Sequence, residues 1–443
     1  MTKPHKKRGK EEFRHFVHPP APPCEAVEAR LIALLTPGTF ANLKTVERQA
    51  GEGQLRDRVL TLSVMSAIVV SLVYRQVRYL SEILRLFEQE GLLWLEAQRV
   101  SRQALSKRLV ELPAALFLEV FEQVTQRIRA TPLSPAVLAP QWQEASSHFS
   151  AIWIADGSTL EHLQRRMGQT REQLKNPLAG KLMMVVEALS HRPVQAFYSP
   201  DPQRHDMTWW DELRALLPVG GLLILDLGFF GFPAFDAMSD EHKFFLTRQK
   251  QKVGYQVNRV LSRGLSYRDE VIQLGGHQRT HPCRHPVRQV SVLWGKQWRY
   301  YLTNVLDPRQ LSAQQVCDLY RCRWQVEDAF LLTKRLLGLA YLWVGGRNGV
   351  QIQLYATWIF YAVLNDLCAD VALALGQPLE RISMEMVFRS LYHFAQAKKR
   401  DAATELMPYF VRFQKSFGLV KAQSKRRRKN EALSLDIWVP SLS

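Results

Sequence analysis

The chain has 443 residues, which is long enough for two to four domains, and its apolar fraction of 47% is ordinary for a packed protein. It carries 59 Lys and Arg against 41 Asp and Glu, a net charge of +18, which favours a polyanionic partner, most commonly nucleic acid. Five scattered cysteines without CxxC spacing argue against a disulfide framework and for a reducing compartment.

Membrane insertion is not expected from the sequence. The charged N-terminus lacks the apolar segment of a secretory signal. The apolar run at 60–74 is too short to span a bilayer, and the run at 352–375 is interrupted by Asn365, Asp366 and Asp370. Both runs therefore predict buried helices of a soluble cytoplasmic protein.

The first third of the chain is predicted to be helical. Residues 1–25 form a basic lead-in that we expect to be disordered, and residues 26–135 form a helical domain. Its helices are predicted at 60–78, 81–90 and 102–112, the last one capped by Ser101 and closed by Pro113. This last helix could recognise DNA in a helix-turn-helix-like unit through Arg102, Gln103, Lys107 and Arg108. The alternative is a basic surface helix of a bundle.

A proline-rich linker at 131–140 precedes a change to β-branched and aromatic runs. Strands are predicted at 150–155, 181–189, 194–199, 222–225 and 243–247, with a helix at 209–217. This order predicts a mixed α/β sheet covered by helices. The first strand ends at Asp156 in DGST and the fourth at Asp226 in DLGFFG, and such strand ends are where α/β sheets place their chemistry.

Residues 250–305 alternate with period two and predict an all-β insertion. A helix then follows at 320–334. Its apolar side is formed by Leu319, Val326, Phe330 and Leu337, and one polar edge carries Tyr320, Arg323, Glu327 and Lys334. That edge suits a phosphodiester, although an exposed edge with an Arg323–Glu327 ion pair is the alternative. A long apolar helix and a helical region at 376–443 with a basic tail complete the chain.

Three carboxylates in this order favour a metal site. Asp156 and Asp226 follow buried strands, and Glu327 lies on a downstream helix. Two metal ions held by such carboxylates can clamp the attacking and leaving oxygens of a phosphoryl transfer. Either aspartate alone could simply start a turn.

With these residues in place, the sequence resembles the DDE transposases of bacterial insertion sequences, of the insertion-sequence-four type. The family's third motif is Tyr, two residues, Arg, three residues, Glu, six residues, Lys, and Tyr320, Arg323, Glu327 and Lys334 match every spacing. DGST and DLGFFG resemble its first two motifs, although Leu227 stands where the family often has Arg. LTN at 302–304 and GVQIQLYA at 349–356 resemble its flanking segments.

The resemblance implies an RNase H-like mixed-sheet catalytic core at 145–375 that carries the β insertion between its fifth strand and the Glu helix. It implies cut-and-paste transposition with Mg²⁺ or Mn²⁺ held by Asp156, Asp226 and Glu327. Phosphate contacts are implied for Tyr320, Arg323 and Lys334, with Arg248 as a further candidate. Trp298 is the candidate for stacking on a flipped base, with a core position in its strand as the alternative.

The partners implied are double-stranded DNA, as inverted-repeat element ends and as target, and a second copy of the chain in a synaptic homodimer. The protein would be cytoplasmic and associated with the nucleoid. Two rival hypotheses remain: a catalytically inactive DNA-binding protein and an RNase H-like nuclease without strand transfer. Three intact acidic residues argue against the first, and the basic companions of Glu327 argue against the second.

Overall fold

The computed structural model describes residues 20–35, 37–41, 59–160, 180–250, 252–275, 282–337, 343 and 346–422. Most of the predicted lead-in and the whole basic tail at 424–430 lie outside these residues. The described residues combine helices with one nine-stranded mixed sheet, which confirms the α/β class.

The strands follow the predicted order. They are β1 (Ile152–Thr159), β2 (Lys181–Glu187), β3 (Pro193–Ser199), β4 (Leu222–Leu225), β5 (Phe244–Arg248), β6 (Tyr255–Arg263), β7 (Tyr267–Leu274), β8 (Val287–Trp294) and β9 (Gln297–Thr303). Across the sheet they lie in the order β3-β2-β1-β4-β5-β9-β8-β7-β6. The central strands β1, β4 and β5 are parallel, and the strands on either side pair antiparallel.

The predicted β insertion, β6 to β9, continues this same sheet. Strand β9 pairs with β5 so that Thr303 lies opposite Leu246. Within the insertion, Arg288 donates two hydrogen bonds of 2.7 Å to the Asp269 carboxylate, and both side chains are buried. A buried guanidinium requires such a bidentate partner, so this pair fixes β7 against β8.

The helices lie before, between and after the strands. They are α1 (Glu25–Leu34), α2 (Pro37–Ala41), α3 (Leu62–Tyr74), α4 (Leu80–Glu90), α5 (Arg102–Glu111), α6 (Ala114–Ala130), α7 (Pro140–Ser147), α8 (Trp210–Leu216), α9 (Phe232–Asp240), α10 (Ala313–Cys322), α11 (Trp324–Arg335), α12 (Arg347–Leu375), α13 (Met384–Lys398) and α14 (Leu406–Phe417). Ser101 caps α5 as predicted, because its hydroxyl accepts a hydrogen bond from the Ala104 N–H at 3.1 Å. Helix α7 was not predicted. Its first residue, Pro140, is the last residue of the predicted linker.

Alternation along the strands gives the sheet two buried faces. Ile152 and Ile154 face a large core that also contains the N-terminal helices, α12 and the C-terminal helices. Trp153 and Ala155 face a second, smaller core beneath α8 and α9. The N-terminal helices therefore share their core with the sheet, while the boundary near residue 135 stays a prediction.

Helix α12 is the longest, and by length and composition it could cross a membrane. In this structure, 72% of the most apolar 18-residue stretch of the helix is buried inside the protein. Trp358 and Phe360 are fully buried, and the Trp358 ring meets Phe330 of α11 edge-on at 5.8 Å. The prediction that this apolar run forms a buried helix is confirmed.

Candidate active site

The strand register brings the two aspartates together. In the parallel pair β1–β4, Ala155 lies opposite Leu225, so Asp226, the next residue after β4, follows beside Asp156. Both side chains continue the even-numbered face that Ile154 and Ile224 occupy, because successive residues of a strand point to opposite faces.

The prediction that Asp156 ends its strand is wrong. Strand β1 runs on to Thr159, and Asp156 lies inside the β1–β2 ladder opposite Met184. The strand is longer than its apolar run because antiparallel pairing with β2 supplies backbone partners for the polar residues at 156–159.

The stretch from Tyr320 to Lys334 forms two helices rather than one. Helix α10 begins at a capping box made by Ser312 and Gln315, and it ends at Cys322. Arg323 follows with φ −51° and ψ −35°, and α11 starts at Trp324. The dihedral angles of Arg323 remain helical, so the predicted faces persist across the break. The four predicted apolar residues Leu319, Val326, Phe330 and Leu337 are all buried.

Arg323 lies at the centre of the three carboxylates. Its Nη1 donates to Asp156 Oδ2 at 2.9 Å, its Nη2 donates to Glu327 Oε1 at 3.0 Å, and its Nε lies 3.8 Å from Asp226 Oδ1. The guanidinium is buried, and its Nε has no hydrogen-bond partner among the described residues. The three predicted ligands therefore converge on one positive charge.

This donor set fits a hard divalent cation. Such ions prefer carboxylate oxygens, and the side chains of Asp226 and Glu327 are 44% and 41% exposed, so both can be reached from solvent. Within the described ranges, no three His, Cys, Asp or Glu side chains are arranged to hold a metal as they stand. The three carboxylates instead face the Arg323 guanidinium.

Burial raises the pKa of the Asp156 carboxyl to about 7; Arg323 opposes this shift, and Asp226 and Glu327 add to it. In an unfolded chain the pKa of an Asp carboxyl is about 3.9. Because the folded protein holds the proton more tightly, Asp156 stabilises the fold fully below about pH 4 and loses that contribution as pH rises through 7.

Asp156→Asn should therefore stabilise the metal-free protein at high pH. Asparagine has the shape of the neutral acid, and at about 1.4 kcal/mol per pKa unit the gain would be a few kcal/mol. Thermal unfolding in chelator should show the variant melting higher than the wild type at pH 9, with the difference shrinking towards pH 5.5. A wild type that melts higher at pH 9 would mean that the Arg323 ion pair outweighs the cost of burying the charge.

Tyr320 and Lys334 also lie at this site. The Tyr320 hydroxyl donates to Asp226 Oδ1 at 3.4 Å, and burial raises the pKa of this phenol, which keeps it a neutral donor. Lys334 Nζ donates to the Ser158 hydroxyl at 2.6 Å and to the Thr159 carbonyl at 3.1 Å, and burial lowers its pKa. The lysine thus ties α11 to the end of β1.

The two remaining predicted residues of the catalytic domain, Arg248 and Trp298, lie on β5 and β9. Arg248 is exposed at the end of β5, opposite Tyr301. Trp298 is half-buried on β9, with the Arg268 guanidinium 4.9 Å from its ring centroid. Their proposed contacts with DNA stay predictions.

On α5, Arg102, Gln103 and Lys107 are exposed, as a recognition helix requires. Arg108 is different: its side chain is buried and its Nε donates to the Leu60 carbonyl at 2.9 Å. In this conformation it cannot reach a base edge, and its assignment to DNA recognition is corrected to a structural contact between α5 and the segment before α3.

Two residues at the site were missed from the sequence. Ser158 receives Lys334, and Asp206 lies between the backbones that carry Asp156 and Asp226. Ser158 belongs to the DGST motif and could have been suspected from it. Asp206 lies in the polar segment between β3 and α8, where neither spacing nor periodicity marks one acidic residue above another.

Three clustered carboxylates with Arg, Lys and Tyr beside them form a group of side chains that could act on a phosphodiester. The comparisons with known proteins agree with that class. Residues 148–363, just under half of the chain, match the family described as Transposase DDE domain. The match contains Asp156, Asp226 and Glu327.

Two curated relatives are also transposases by name. The chain is 30% identical over 166 residues to "Probable transposase for insertion sequence element IS5377" of Geobacillus stearothermophilus, covering 36% of this chain and 42% of that protein. It is 25% identical over 191 residues to "Putative transposase y4zB" of Sinorhizobium fredii, covering 42% of this chain and 51% of that protein. The chain spans about half the length of the curated relatives it matches.

A solved structure, the cryo-electron-microscopy structure of the piggyBac transposase synaptic complex with hairpin DNA, aligns over 94% of this chain and 88% of that chain. Its identity is 12% and its TM-score 0.39, which is too low for an argument about the fold. The family match and the two relatives show that this part of the chain is similar to DDE transposases.

Proposed function

We propose that this protein is a DNA transposase that moves an insertion sequence by metal-dependent cut-and-paste transposition. The observation that carries the proposal is the convergence of Asp156, Asp226 and Glu327 on one buried guanidinium. Three separated segments of the chain supply these carboxylates, and an arrangement without function would not need all three to meet. The Tyr-Arg-Glu-Lys spacing favours the insertion-sequence-four type.

The five strands β1 to β5 would form an RNase H-like catalytic core, with β6 to β9 as its insertion. Asp156, Asp226 and Glu327 would hold Mg²⁺ or Mn²⁺. When bound, such an ion neutralises charge on the scissile phosphate and lowers the pKa of a water that attacks it. The freed 3′-hydroxyl would then join target DNA.

The neighbouring side chains would bind the phosphates on either side of the cut. Arg323 offers two N–H groups in a fork that matches a phosphate, once a metal satisfies the carboxylates. The neutral Tyr320 hydroxyl can donate to a phosphate oxygen, and Lys334 and Arg248 add positive charge at the two ends of the site. Trp298 would stack on an unpaired base.

DNA partners outside the catalytic centre follow from the charge of the chain. Arg102, Gln103 and Lys107 on the exposed side of α5 would read the element end. A homodimer would pair two such ends, and the protein would work in the cytoplasm on the nucleoid. The net charge of +18 supports a long contact with DNA.

A transposition assay tests this proposal. A resistance marker placed between the DNA segments that border the gene would be supplied with the protein in a host that lacks the element. We expect the marker to move to new sites, each flanked by a short duplication of target DNA.

A folded protein that binds the bordering DNA but never moves the marker would contradict the proposal. If that protein still nicks DNA, the RNase H-like nuclease becomes the better account. If it only binds, the inactive DNA-binding protein does.

A further inference from the structure

One carboxylate lies against both backbones that carry the catalytic aspartates. A Cβ atom added to Gly157, the residue after Asp156, would stand 2.6 Å from Asp206 Oδ1. A Cβ added to Gly228, two residues after Asp226, would stand 3.5 Å from Asp206 Oδ2. The Asp206 carboxylate therefore occupies the space where a side chain at position 157 would lie, and it lies within van der Waals distance of a Cβ placed at position 228, on the sheet face opposite Asp156.

Asp206 is held in this position by Lys181. The Lys181 Nζ lies 2.6 Å from Asp206 Oδ1, and the two side chains are 14% and 27% exposed. Among the described residues Oδ1 accepts no aligned hydrogen bond, so charge attraction joins the pair. Lys181 also donates to the Arg204 carbonyl at 2.8 Å, which ties the segment before Asp206 to the start of β2.

The segment around Asp206 also contacts the smaller core. The Arg204 guanidinium lies 4.3 Å from the ring centroid of Trp209, whose side chain is almost fully buried in the smaller core. Asp206 thus belongs to a short 3₁₀ turn, Asp206–Trp209, that is fixed at both ends.

Asp226 needs such support more than Asp156 does. Asp156 lies within the β1–β2 ladder, whereas Asp226 stands one residue beyond β4, and its side chain is 44% exposed. Its backbone carbonyl accepts hydrogen bonds from the Thr247 hydroxyl at 3.2 Å and from the Phe229 N–H at 3.1 Å, and the second bond lies within the turn that follows. The turn Leu227–Phe229 that follows is the part that Asp206 touches.

We propose that Asp206 is a positioning residue for the metal site. Held by Lys181, its carboxylate fixes the Gly228 turn against β1 at Gly157 and so keeps the Asp226 carboxylate beside that of Asp156. The inference rests on the proposed function, because it assumes that these two carboxylates hold a divalent cation together.

Binding of Mn²⁺ to the purified, DNA-free chain tests the inference, with the free ion measured by electron paramagnetic resonance. Asp206→Asn keeps the shape and removes the charge that Lys181 holds. We expect it to weaken Mn²⁺ binding by about 10- to 100-fold, the usual loss when a supporting residue of a metal site is changed. Asp206→Glu should recover part of the affinity. Asp201→Asn, an exposed aspartate of the same segment, should bind like the wild type.

Glycine variants separate positioning from folding. Gly157→Ala should lower the melting temperature and the Mn²⁺ affinity together, because its methyl group would displace the Asp206 carboxylate. In Gly157→Ala/Asp206→Ala the clash with the carboxylate is gone, and only the flexible ends of Lys181 and Met183, at 3.0 and 3.3 Å, lie close to the methyl group. The melting temperature should therefore recover in part while the affinity stays low.

Wild-type Mn²⁺ affinity in Asp206→Asn, or in the double variant, would overturn the inference and leave the proposed function standing. A purely structural role would likewise lower the melting temperature without changing the affinity of the folded protein. A wild-type chain that binds no Mn²⁺ would overturn both the inference and the metal site on which it rests.

Discussion

Glu327→Gln should slow DNA cleavage about 1,000-fold while the protein stays folded. The glutamine side-chain oxygen can still accept the hydrogen bond from Arg323. An amide, however, lacks the negative charge that a divalent cation needs. Loss of about 4 kcal/mol of metal-dependent stabilisation corresponds to about a 1,000-fold slower reaction. Single-turnover cleavage of a labelled element end measures this rate.

The matched control is Asp328→Asn. Asp328 is the next residue of α11 and is exposed, so the substitution removes the same charge from the same helix turn. It should cleave at the wild-type rate. Equal cleavage by Glu327→Gln and the wild type would show that Glu327 is not a metal ligand.

Arg323→Ala should change metal binding and cleavage in opposite directions. Without DNA, Arg323 satisfies Asp156 and Glu327 at 2.9 and 3.0 Å, and a cation must displace it. Its removal should tighten Mn²⁺ binding about tenfold or more, since at 4 Å and an effective dielectric constant of 20 one charge–charge interaction is worth about 4 kcal/mol. Cleavage should nevertheless slow, because the fork that would hold the phosphate is lost. Calorimetric titration with Mn²⁺ and the single-turnover rate give the two values.

Arg321→Ala is the control for this pair of measurements. Arg321 lies two residues earlier, 43% exposed, and pairs with Asp318 rather than with the carboxylates of the site. It should leave both values unchanged. If Arg323→Ala binds Mn²⁺ no more tightly than the wild type, the guanidinium does not occupy the cation's place. If it only unfolds, shown by the loss of the circular-dichroism signal, Arg323 serves the fold.

The sequence predicted the order and approximate positions of the first five strands, and it singled out the three carboxylates that the structure brings together, whose role as metal ligands stays a proposal. Short apolar runs such as 222–225 end sharply, and alternation assigns Asp156 and Asp226 to one face once the register is known. The apolar side of the Glu327 helix was equally readable, because burial follows helical spacing. These features depend on the local pattern of apolar and polar residues, which can be read from the sequence alone.

Features that depend on distant partners could not be predicted. Strand β1 extends beyond its apolar run because β2 pairs with it, and β9 joins β5 across a separation of more than fifty residues. In SRQALSKRL, Arg108 has the pattern of an exposed cation. Its side chain is nevertheless buried, and its Nε donates a hydrogen bond to the Leu60 carbonyl.

The position of Arg323 is the most instructive case. The sequence predicted a phosphate contact for Arg323, with an ion pair to Glu327 as the alternative, and that pair exists at 3.0 Å. The sequence could not show that the same guanidinium also reaches Asp156 and approaches Asp226, because this requires the β1–β4 register and the packing of α11 against β1. Asp206 could not be found from the sequence for the same reason, because the role that we propose for it depends on its position beside two glycines that are distant in the chain.

Cleavage of a labelled DNA end tests the central claim most directly. The purified protein would be incubated with a duplex that carries the bordering inverted repeat, in Mg²⁺ or in chelator. We expect a nick at the element boundary that leaves a 3′-hydroxyl, requires the divalent ion, and is absent in a folded Asp156→Asn/Asp226→Asn/Glu327→Gln variant. Cleavage in chelator, or cleavage by the triple variant at the wild-type rate, would contradict it.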